Sequence, residues 1–198
     1  MKSCAVILAA GFSSRMHDFK PLLSVGGETL IDHVISTFLG VGVDALVVTG
    51  WRREELVNGI KHKQITLVDN PDYESGMFSS IKAGVSRLSP VHQAFFIMPV
   101  DIPLVSPATI QRLLSESSQF PDRVIYPVFS KRRGHPPLIP SSLAPSILDS
   151  PESGGLKASL LQQKYQEVVT SDSNILFDVD TPEDYQELLR RYQQLVSL

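Results

Sequence analysis

Residues 6–20, VILAAGFSSRMHDFK, join an apolar run to a small, flexible and cationic turn. The apolar run over residues 4–9 is continuous rather than alternating, which is typical of a parallel strand buried on both faces. In open α/β sheets, ligands bind beyond the carboxyl ends of such strands. The stretch therefore predicts an α/β fold with a binding site directly after its first strand.

The same kind of run recurs along the chain, with helical patterns in between. Four further strands are predicted over residues 45–49, 65–68, 94–98 and 124–127. Helices are predicted over residues 29–39, 77–88 and 107–116. This alternation favours a mostly parallel sheet with helices on both faces, a three-layer α/β/α sandwich. We expect one domain over residues 1–198.

The last third is less regular. Residues 131–145 carry four prolines and predict irregular structure, followed by a short helix over 156–163 and a short strand over 167–170. The final helix has a clear start, with Thr181 as its N-cap, Pro182 in the first turn and Asp184 completing a capping box.

Composition and charge narrow the classes of function. The chain has 198 residues, 42% of them hydrophobic, and a formal net charge of −3, which argues against a nucleic-acid-binding surface. The single cysteine, Cys4, lies in an apolar run and is predicted to be a buried core residue. No apolar run approaches the roughly 18 residues of a membrane span, so we expect a cytoplasmic protein with no membrane partner.

The turn after the first strand contains candidate phosphate ligands. Gly11 lets the backbone approach a ligand closely, Arg15 offers a planar set of donors, and Lys20 offers a mobile charge. Solvated surface charges would give the same pattern. Neither G-x-G-x-x-G nor G-x-x-x-x-G-K-[ST] is present, which argues against a dinucleotide fold and a P-loop NTPase.

Carboxylates follow two other segments. Asp101 follows the predicted strand 94–98 and would suit Mg²⁺ beside phosphates, although a turn aspartate is an equal alternative. Asp178 and Asp180, two positions apart, point the same way in an extended chain, so one of them would supply a second carboxylate. Acidic residues also favour helix N-termini for purely structural reasons.

Taken together, these segments resemble the MobA-like nucleotidyltransferases. The resemblance rests on LAAGFSSRM at 8–16 with Lys20 after it, NPDYESGMFSSI at 70–81, VDIP at 100–103, RRGHP at 132–136 and DVDTPED at 178–184. The set is most similar to the molybdenum cofactor cytidylyltransferase branch. His17 departs from the family pattern, which has glycine after Arg-Met.

The resemblance implies a Rossmann-like nucleotidyltransferase fold and a role for each matching residue. The nucleotide-binding residues it implies are Leu8, Ala9, Ala10, Gly11, Arg15, Lys20, Gly76 and Ser80. Arg15, Lys20 and Asp101 would be the catalytic residues. Asp101 and Asp180 would hold Mg²⁺, and Gly134 and His135 would face the acceptor substrate.

The resemblance also implies a reaction. CMP would pass from CTP to the phosphate of a molybdopterin-type acceptor, with release of pyrophosphate. Guanylyl-transferring relatives usually have L-A-G-G, whereas this chain has Ala at position 10, whose methyl group narrows the space beside the base.

Alternative functions remain open from the sequence. They are guanylyl transfer, transfer to a sugar or polyol phosphate, and a non-catalytic accessory protein that hands the cofactor to a molybdenum hydroxylase. The lysine and two aspartates speak against a pure carrier, which has no need to hold Mg²⁺.

Overall fold

The structure, a computed structural model, describes residues 2–12, 16 and 18–197. The strands in this part of the chain are β1 (Ser3–Leu8), β2 (Ser24–Val25), β3 (Glu28–Thr29), β4 (Asp44–Thr49), β5 (Thr66–Asp69), β6 (Ala94–Pro99), β7 (Val124–Phe129), β8 (Arg132–Arg133), β9 (Leu138–Pro140) and β10 (Tyr165–Val169). The α-helices are α1 (Leu30–Leu39), α2 (Arg53–Gly59), α3 (Met77–Val85), α4 (Pro107–Gln119), α5 (Ala144–Asp149), α6 (Gly155–Ser159) and α7 (Pro182–Val196).

The strands form one large sheet and a small hairpin. Within the described residues the large sheet has the order β10-β7-β9-β6-β1-β4-β5, with β8 paired to β7, and β2 pairs with β3 in the hairpin. The pairs β1–β4, β1–β6, β4–β5 and β7–β10 are parallel. β9 runs antiparallel between β6 and β7. The sheet is therefore mostly parallel, as predicted.

Helices cover both faces of this sheet over separate apolar cores. Along β1, Ala5 and Ile7 enter one core, which also holds residues of α1, α2, α4 and α7. Cys4 and Val6 enter the other, which holds residues of α3 and α5. The continuous apolar run of β1 follows from this double burial. None of the helices in the described ranges is both long and apolar enough to cross a membrane.

The predicted three-layer α/β/α architecture is confirmed, and the five strands predicted from apolar runs are present with ends shifted by a few residues at most. The prediction for one segment is wrong, because residues 131–145, predicted to be irregular, contain β8, β9 and the start of α5. β9 has only three residues and prolines around it, so its local sequence lacks a strand signal. β9 is instead defined by its pairing with β6, a strand that is distant in the sequence. The helix α2 was also not predicted from the sequence.

The strand order creates a binding edge. From β1 the chain builds the sheet to one side with β4 and β5, then returns to place β6 on the other side of β1. This reversal separates the loops that leave β1 and β6, and the gap lies at their carboxyl ends. Ligands bind at such switch points in open α/β sheets.

Candidate functional site

A cleft of about 240 Å³ lies at this switch point. Its walls come from the ends of β1 and β6 and from the first turn of α3. The lining residues are Leu8, Ala9, Ala10, Gly11, Phe12, Lys20, Pro21, Tyr73, Glu74, Gly76, Met77, Ser80, Pro99, Val100 and Asp101. The described nucleotide-binding candidates therefore line one cleft.

Backbone hydrogen bonds fix the loop after β1 to its neighbours. The amide of Ala9 donates to the carbonyl of Val48 at 3.0 Å, and the amide of Trp51 donates to the carbonyl of Ala10 at 3.1 Å. At Gly11, a Cβ would meet no other atom within 4 Å, so the backbone there borders open space. Residues 9 and 10 thus give the cleft a wall that is hydrogen-bonded to the neighbouring β4 segment.

Lys20 is the basic residue among the described residues that line this cleft, and its ammonium group lies beside two carboxylates. Its Nζ donates to Oδ1 of Asp180 at 2.8 Å and lies 3.5 Å from Oδ2 of Asp101. All three side chains are largely shielded from solvent, with 10% exposure for Lys20, 24% for Asp101 and 21% for Asp180. Arg15, predicted to act beside Lys20, lies outside the described residues, as does His17.

Two local features bring Asp180 to Asp101. The amide of Val179 donates to the backbone carbonyl of Asp101 at 2.8 Å, which joins the two segments. The amide of Asp180 donates to Oδ2 of Asp184 at 3.1 Å, at the capped start of α7. Asp178, the alternative second carboxylate, is exposed.

The environment of Asp101 raises the pKa of its carboxyl. Burial is the largest cause, and the nearby charge of Asp180 adds to it, while the ammonium of Lys20 opposes both. A carboxylate in this position gains from any further positive charge brought close to it.

The acidic pair is compatible with a Mg²⁺ site. The ammonium of Lys20 already lies beside both carboxylates, so this point of the cleft accommodates a cation. No group of three or more histidine, cysteine or acidic side chains suitable for a metal occurs among the described residues. Mg²⁺ needs no such cage, because one or two carboxylates, substrate phosphates and water complete its coordination.

A polar network shapes the opposite wall, at the start of α3. Nδ2 of Asn70 donates to the hydroxyls of Ser79 at 2.9 Å and Ser80 at 3.0 Å. Gly76 has a φ of +102°, a conformation that favours glycine, and a Cβ there would meet nothing within 4 Å. Asn70 is buried and was not predicted individually, although its position just after a strand end was a usable signal.

Gly134 and His135 lie in a second cavity of about 630 Å³ rather than in the first cleft. Met77 and Pro99 line both spaces, so the two adjoin. At Gly134 a Cβ would lie 2.3 Å from the carbonyl oxygen of Ile175, so close packing by itself requires glycine there.

Aromatic and basic side chains give the second cavity its chemistry. The guanidinium of Arg133 lies 4.7 Å from the ring centroid of Tyr126 and 4.0 Å from that of Tyr165. Burial lowers the pKa of His135 and so favours the neutral form of its ring, while the charge of Asp101 acts in the opposite direction. Nδ1 of that ring has no hydrogen-bond partner among the described residues. Arg133 also pairs with Glu167 at 2.7 Å, and apolar side chains such as Ile81 and Ile97 make up much of the remaining lining.

The fold and the cleft define an α/β protein whose candidate site lies at the carboxyl ends of parallel strands. Residues 5–168 match the family model of the MobA-like NTP transferase domain, which identifies the family as well as the fold. This chain belongs to that family, and its fold is that of the nucleotidyltransferases.

Relatives of known name support this assignment. The chain is 29% identical over 191 residues to the molybdenum cofactor cytidylyltransferase of Escherichia coli (strain K12), covering 96% of this chain and 97% of that protein. It is 30% identical over 196 residues to the nicotine blue oxidoreductase of Paenarthrobacter nicotinovorans, covering 93% and 95%. A nucleotidyl transferase structure from Methanothermobacter thermautotroptrophicus superposes with a TM-score of 0.84 at 22% identity, covering 98% of this chain and 99% of that one.

Proposed function

We propose that this nucleotidyltransferase moves CMP from CTP to the phosphate of a molybdopterin-type cofactor and releases pyrophosphate. The supporting observation is the contact of Lys20 with Asp101 and Asp180 at the switch point of the sheet. That arrangement offers a cation for phosphates and two carboxylates for Mg²⁺. The similarity to a molybdenum cofactor cytidylyltransferase supports the acceptor.

In the proposed reaction, the protein has to position the two substrates and to stabilise the negative charge of their phosphates. An acceptor phosphate oxygen forms a bond to the α-phosphorus of CTP as the bond from that phosphorus to the bridging oxygen breaks. Because a phosphate monoester is already ionised at neutral pH, no side chain has to remove a proton from it. In this proposal Mg²⁺, when bound, neutralises charge on the phosphates.

The protein's own residues then have separate tasks. Lys20, with Arg15, contacts the triphosphate, and Asp101 and Asp180 hold the metal ion. The backbone of residues 8–11 and the start of α3 enclose the nucleoside. His135 and Arg133 contact the acceptor in the adjoining cavity, which would bring its phosphate to the shared boundary at Met77 and Pro99.

The choice of cytidine as the base is supported by the similarity to a molybdenum cofactor cytidylyltransferase. Ala10 lies in the wall of the cleft, but its methyl group is 2% exposed and packs against Gly50 in the core beneath that wall.

The first test is ligand-induced stabilisation by CTP, GTP, ATP and UTP, each with Mg²⁺. A ligand held at 100 times its Kd stabilises a protein by about 2.7 kcal/mol, which raises its melting temperature measurably. We expect the largest shift with CTP and a smaller one when EDTA removes Mg²⁺. A larger shift with GTP would contradict the base assignment, and no shift with any nucleotide would contradict the proposed function.

The similarity to nicotine blue oxidoreductase favours a second candidate, an oxidoreductase. The same melting experiment separates the two, because an oxidoreductase that uses a nicotinamide cofactor would be stabilised by NADH or NADPH instead of CTP. The acidic pair around Lys20 is better suited to phosphates with Mg²⁺ than to a hydride donor.

A further inference from the structure

Three aromatic side chains meet at one side of the cleft, and the reaction described above uses none of them. Phe12 follows β1, Trp51 follows β4, and Tyr73 lies beyond β5. The ring centroid of Phe12 is 5.4 Å from that of Trp51 and 5.3 Å from that of Tyr73. We call these three residues the aromatic rim. Three separate strand ends therefore supply one continuous aromatic surface.

Two of the three rim side chains are more exposed to solvent than is usual for aromatic residues. Phe12 is 45% exposed and Trp51 is 39% exposed, although both rings gain free energy from leaving water. Contacts within the rim thus leave much of its surface uncovered. Phe12 and Tyr73 also line the cleft, so a ligand in the cleft has direct access to them. Grouped exposed aromatic surface of this kind marks a binding site more often than scattered residues do.

Contacts within the fold hold two of the three rim residues, Trp51 through its backbone and Tyr73 through its side chain. The amide of Trp51 donates to the carbonyl of Ala10, as described above. Tyr73 packs so closely on Gly50 that a Cβ at Gly50 would lie 2.8 Å from the Cβ of Tyr73. A surface that is already ordered loses little conformational entropy when a ligand binds.

The sheet order separates the rim from the charged part of the cleft. Asp101 lies at the end of β6, on one side of β1, while Trp51 and Tyr73 follow β4 and β5 on its other side. Neighbouring strands are about 4.8 Å apart, so charge and aromatic surface lie in sequence along the edge. A nucleoside triphosphate has the same order, with an anionic chain at one end and a flat aromatic base at the other.

We propose that the aromatic rim stacks against the nucleobase, with Phe12 as its central residue. This inference rests on the proposed function, because it requires a nucleoside triphosphate in the cleft. Every base has an aromatic face, so stacking adds affinity for all four bases alike. The choice between bases must then come from contacts to the base edge, in the region of Ala10 and Ser80. The rim is thus a determinant of affinity and not of base preference.

The test measures Kd values of CTP and GTP, each with Mg²⁺, by calorimetry for wild type and Phe12→Leu. Loss of a stacking partner weakens binding by about tenfold. We expect this loss for both nucleotides, with the ratio of their Kd values unchanged. The Kd of inorganic tripolyphosphate with Mg²⁺, which has no base, should stay at its wild-type value.

Two further variants guard against a general loss of structure. Trp51→Leu removes a rim residue that packs on Phe12 without lining the cleft, and it should weaken both nucleotides by a smaller factor than Phe12→Leu. Phe120→Leu removes a ring beyond the C-terminus of α4, packed on Arg123, and should leave both Kd values unchanged. Trp51 is the only tryptophan in the chain, so its fluorescence gives an independent signal in wild type. Nucleotides should alter its emission, and tripolyphosphate should not.

The outcomes separate this proposal from the proposed function. Wild-type binding of nucleotides by Phe12→Leu would overturn the stacking role and leave the proposed function intact. Equal weakening of nucleotides and tripolyphosphate, or a loss confined to one nucleotide, would also overturn it. Absence of nucleotide binding by the wild-type protein would overturn both proposals.

Discussion

Asp101 shows how one residue's properties follow from its surroundings. Burial raises the pKa of its carboxyl, and the neighbouring charge of Asp180 raises it further. Lys20 offsets part of this cost by placing an ammonium group beside both carboxylates. The free energy gained by a bound cation therefore depends on keeping both negative charges.

Replacing Asp101 by asparagine tests this role with almost no change in side-chain shape. We expect Asp101→Asn to lower kcat on the order of 100-fold or more, because it removes a negative charge that would hold the metal ion beside the transferring phosphates. Pyrophosphate release with CTP and acceptor provides the measurement. Asp122→Asn is the matched control, because Asp122 is an exposed carboxylate that pairs with Lys164 at the surface and lines no part of the cleft, and it should keep wild-type turnover. Retention of more than about a tenth of wild-type kcat by Asp101→Asn would contradict the assigned role.

The residues of the aromatic rim could not be recognised from the sequence. Neither Phe12 nor Tyr73 carries a sequence signal that separates it from an ordinary core aromatic. Their exposure and mutual distances become informative only once three strand ends are brought together.

At the scale of elements, the start of α7 is the feature most directly encoded by local sequence. Oγ1 of Thr181 accepts from the amide of Asp184 at 3.2 Å, and Oδ2 of Asp184 accepts from the amide of Thr181 at 2.8 Å. This is the predicted capping box. The same carboxylate accepts from the amide of Asp180, so the cap also holds a predicted metal ligand in place.

Removal of the cap should affect stability first. We expect Thr181→Ala to lower the free energy of unfolding by about 1 kcal/mol, because an amide at the helix start loses its acceptor. Urea denaturation followed by circular dichroism gives the value. Glu183→Ala, in the same helical turn, removes no capping group and should change stability by less than about 0.5 kcal/mol. Equal effects of the two substitutions would show that the cap contributes nothing specific.

At the scale of the whole molecule, α3 connects the two cavities. Its first turn lines the cleft at the ends of β1 and β6, and Phe78 and Ile81 line the second cavity. Farther along, Nζ of Lys82 donates to the carbonyl of Ser150 at 2.6 Å and pairs with Glu152 at 3.1 Å. These contacts anchor the segment that continues into α6, which forms part of the second cavity's wall.

Lys82 therefore provides a test of which ligand uses which cavity. Lys82→Met keeps the length of the side chain and removes both contacts, so residues 150–157 should become less well positioned. We expect KM for the acceptor to rise about threefold to fivefold, the size typical of a lost surface ion pair, with KM for CTP unchanged. Steady-state kinetics with each substrate varied in turn gives both values. Lys63→Met is the control, because Lys63 bonds only locally, to the carbonyl of Ile60, in the described contacts. A rise in KM for CTP instead would contradict this division of the cavities.

Local sequence determined much of this molecule. Continuous apolar runs specified β1, β4 and β6 because strands buried on both faces need such runs, and short-range hydrogen bonds specified the start of α7. The glycine and lysine after β1 also predicted a phosphate-binding turn, and that role stays a prediction. β9 was missed, because its three residues carry no strand pattern and gain their structure from pairing with β6.

Only the tertiary structure decided which distant residues meet. Lys20 lies 160 positions from Asp180 and 81 from Asp101, and no periodicity links them. Their contact depends on the order of strands in the sheet and on the backbone bond from Val179 to Asp101. The same order placed Gly134 and His135 in an adjoining cavity and gathered the aromatic rim at three strand ends. The physical reason is that strand order reflects packing of both cores at once, whereas sequence patterns report only on neighbouring residues.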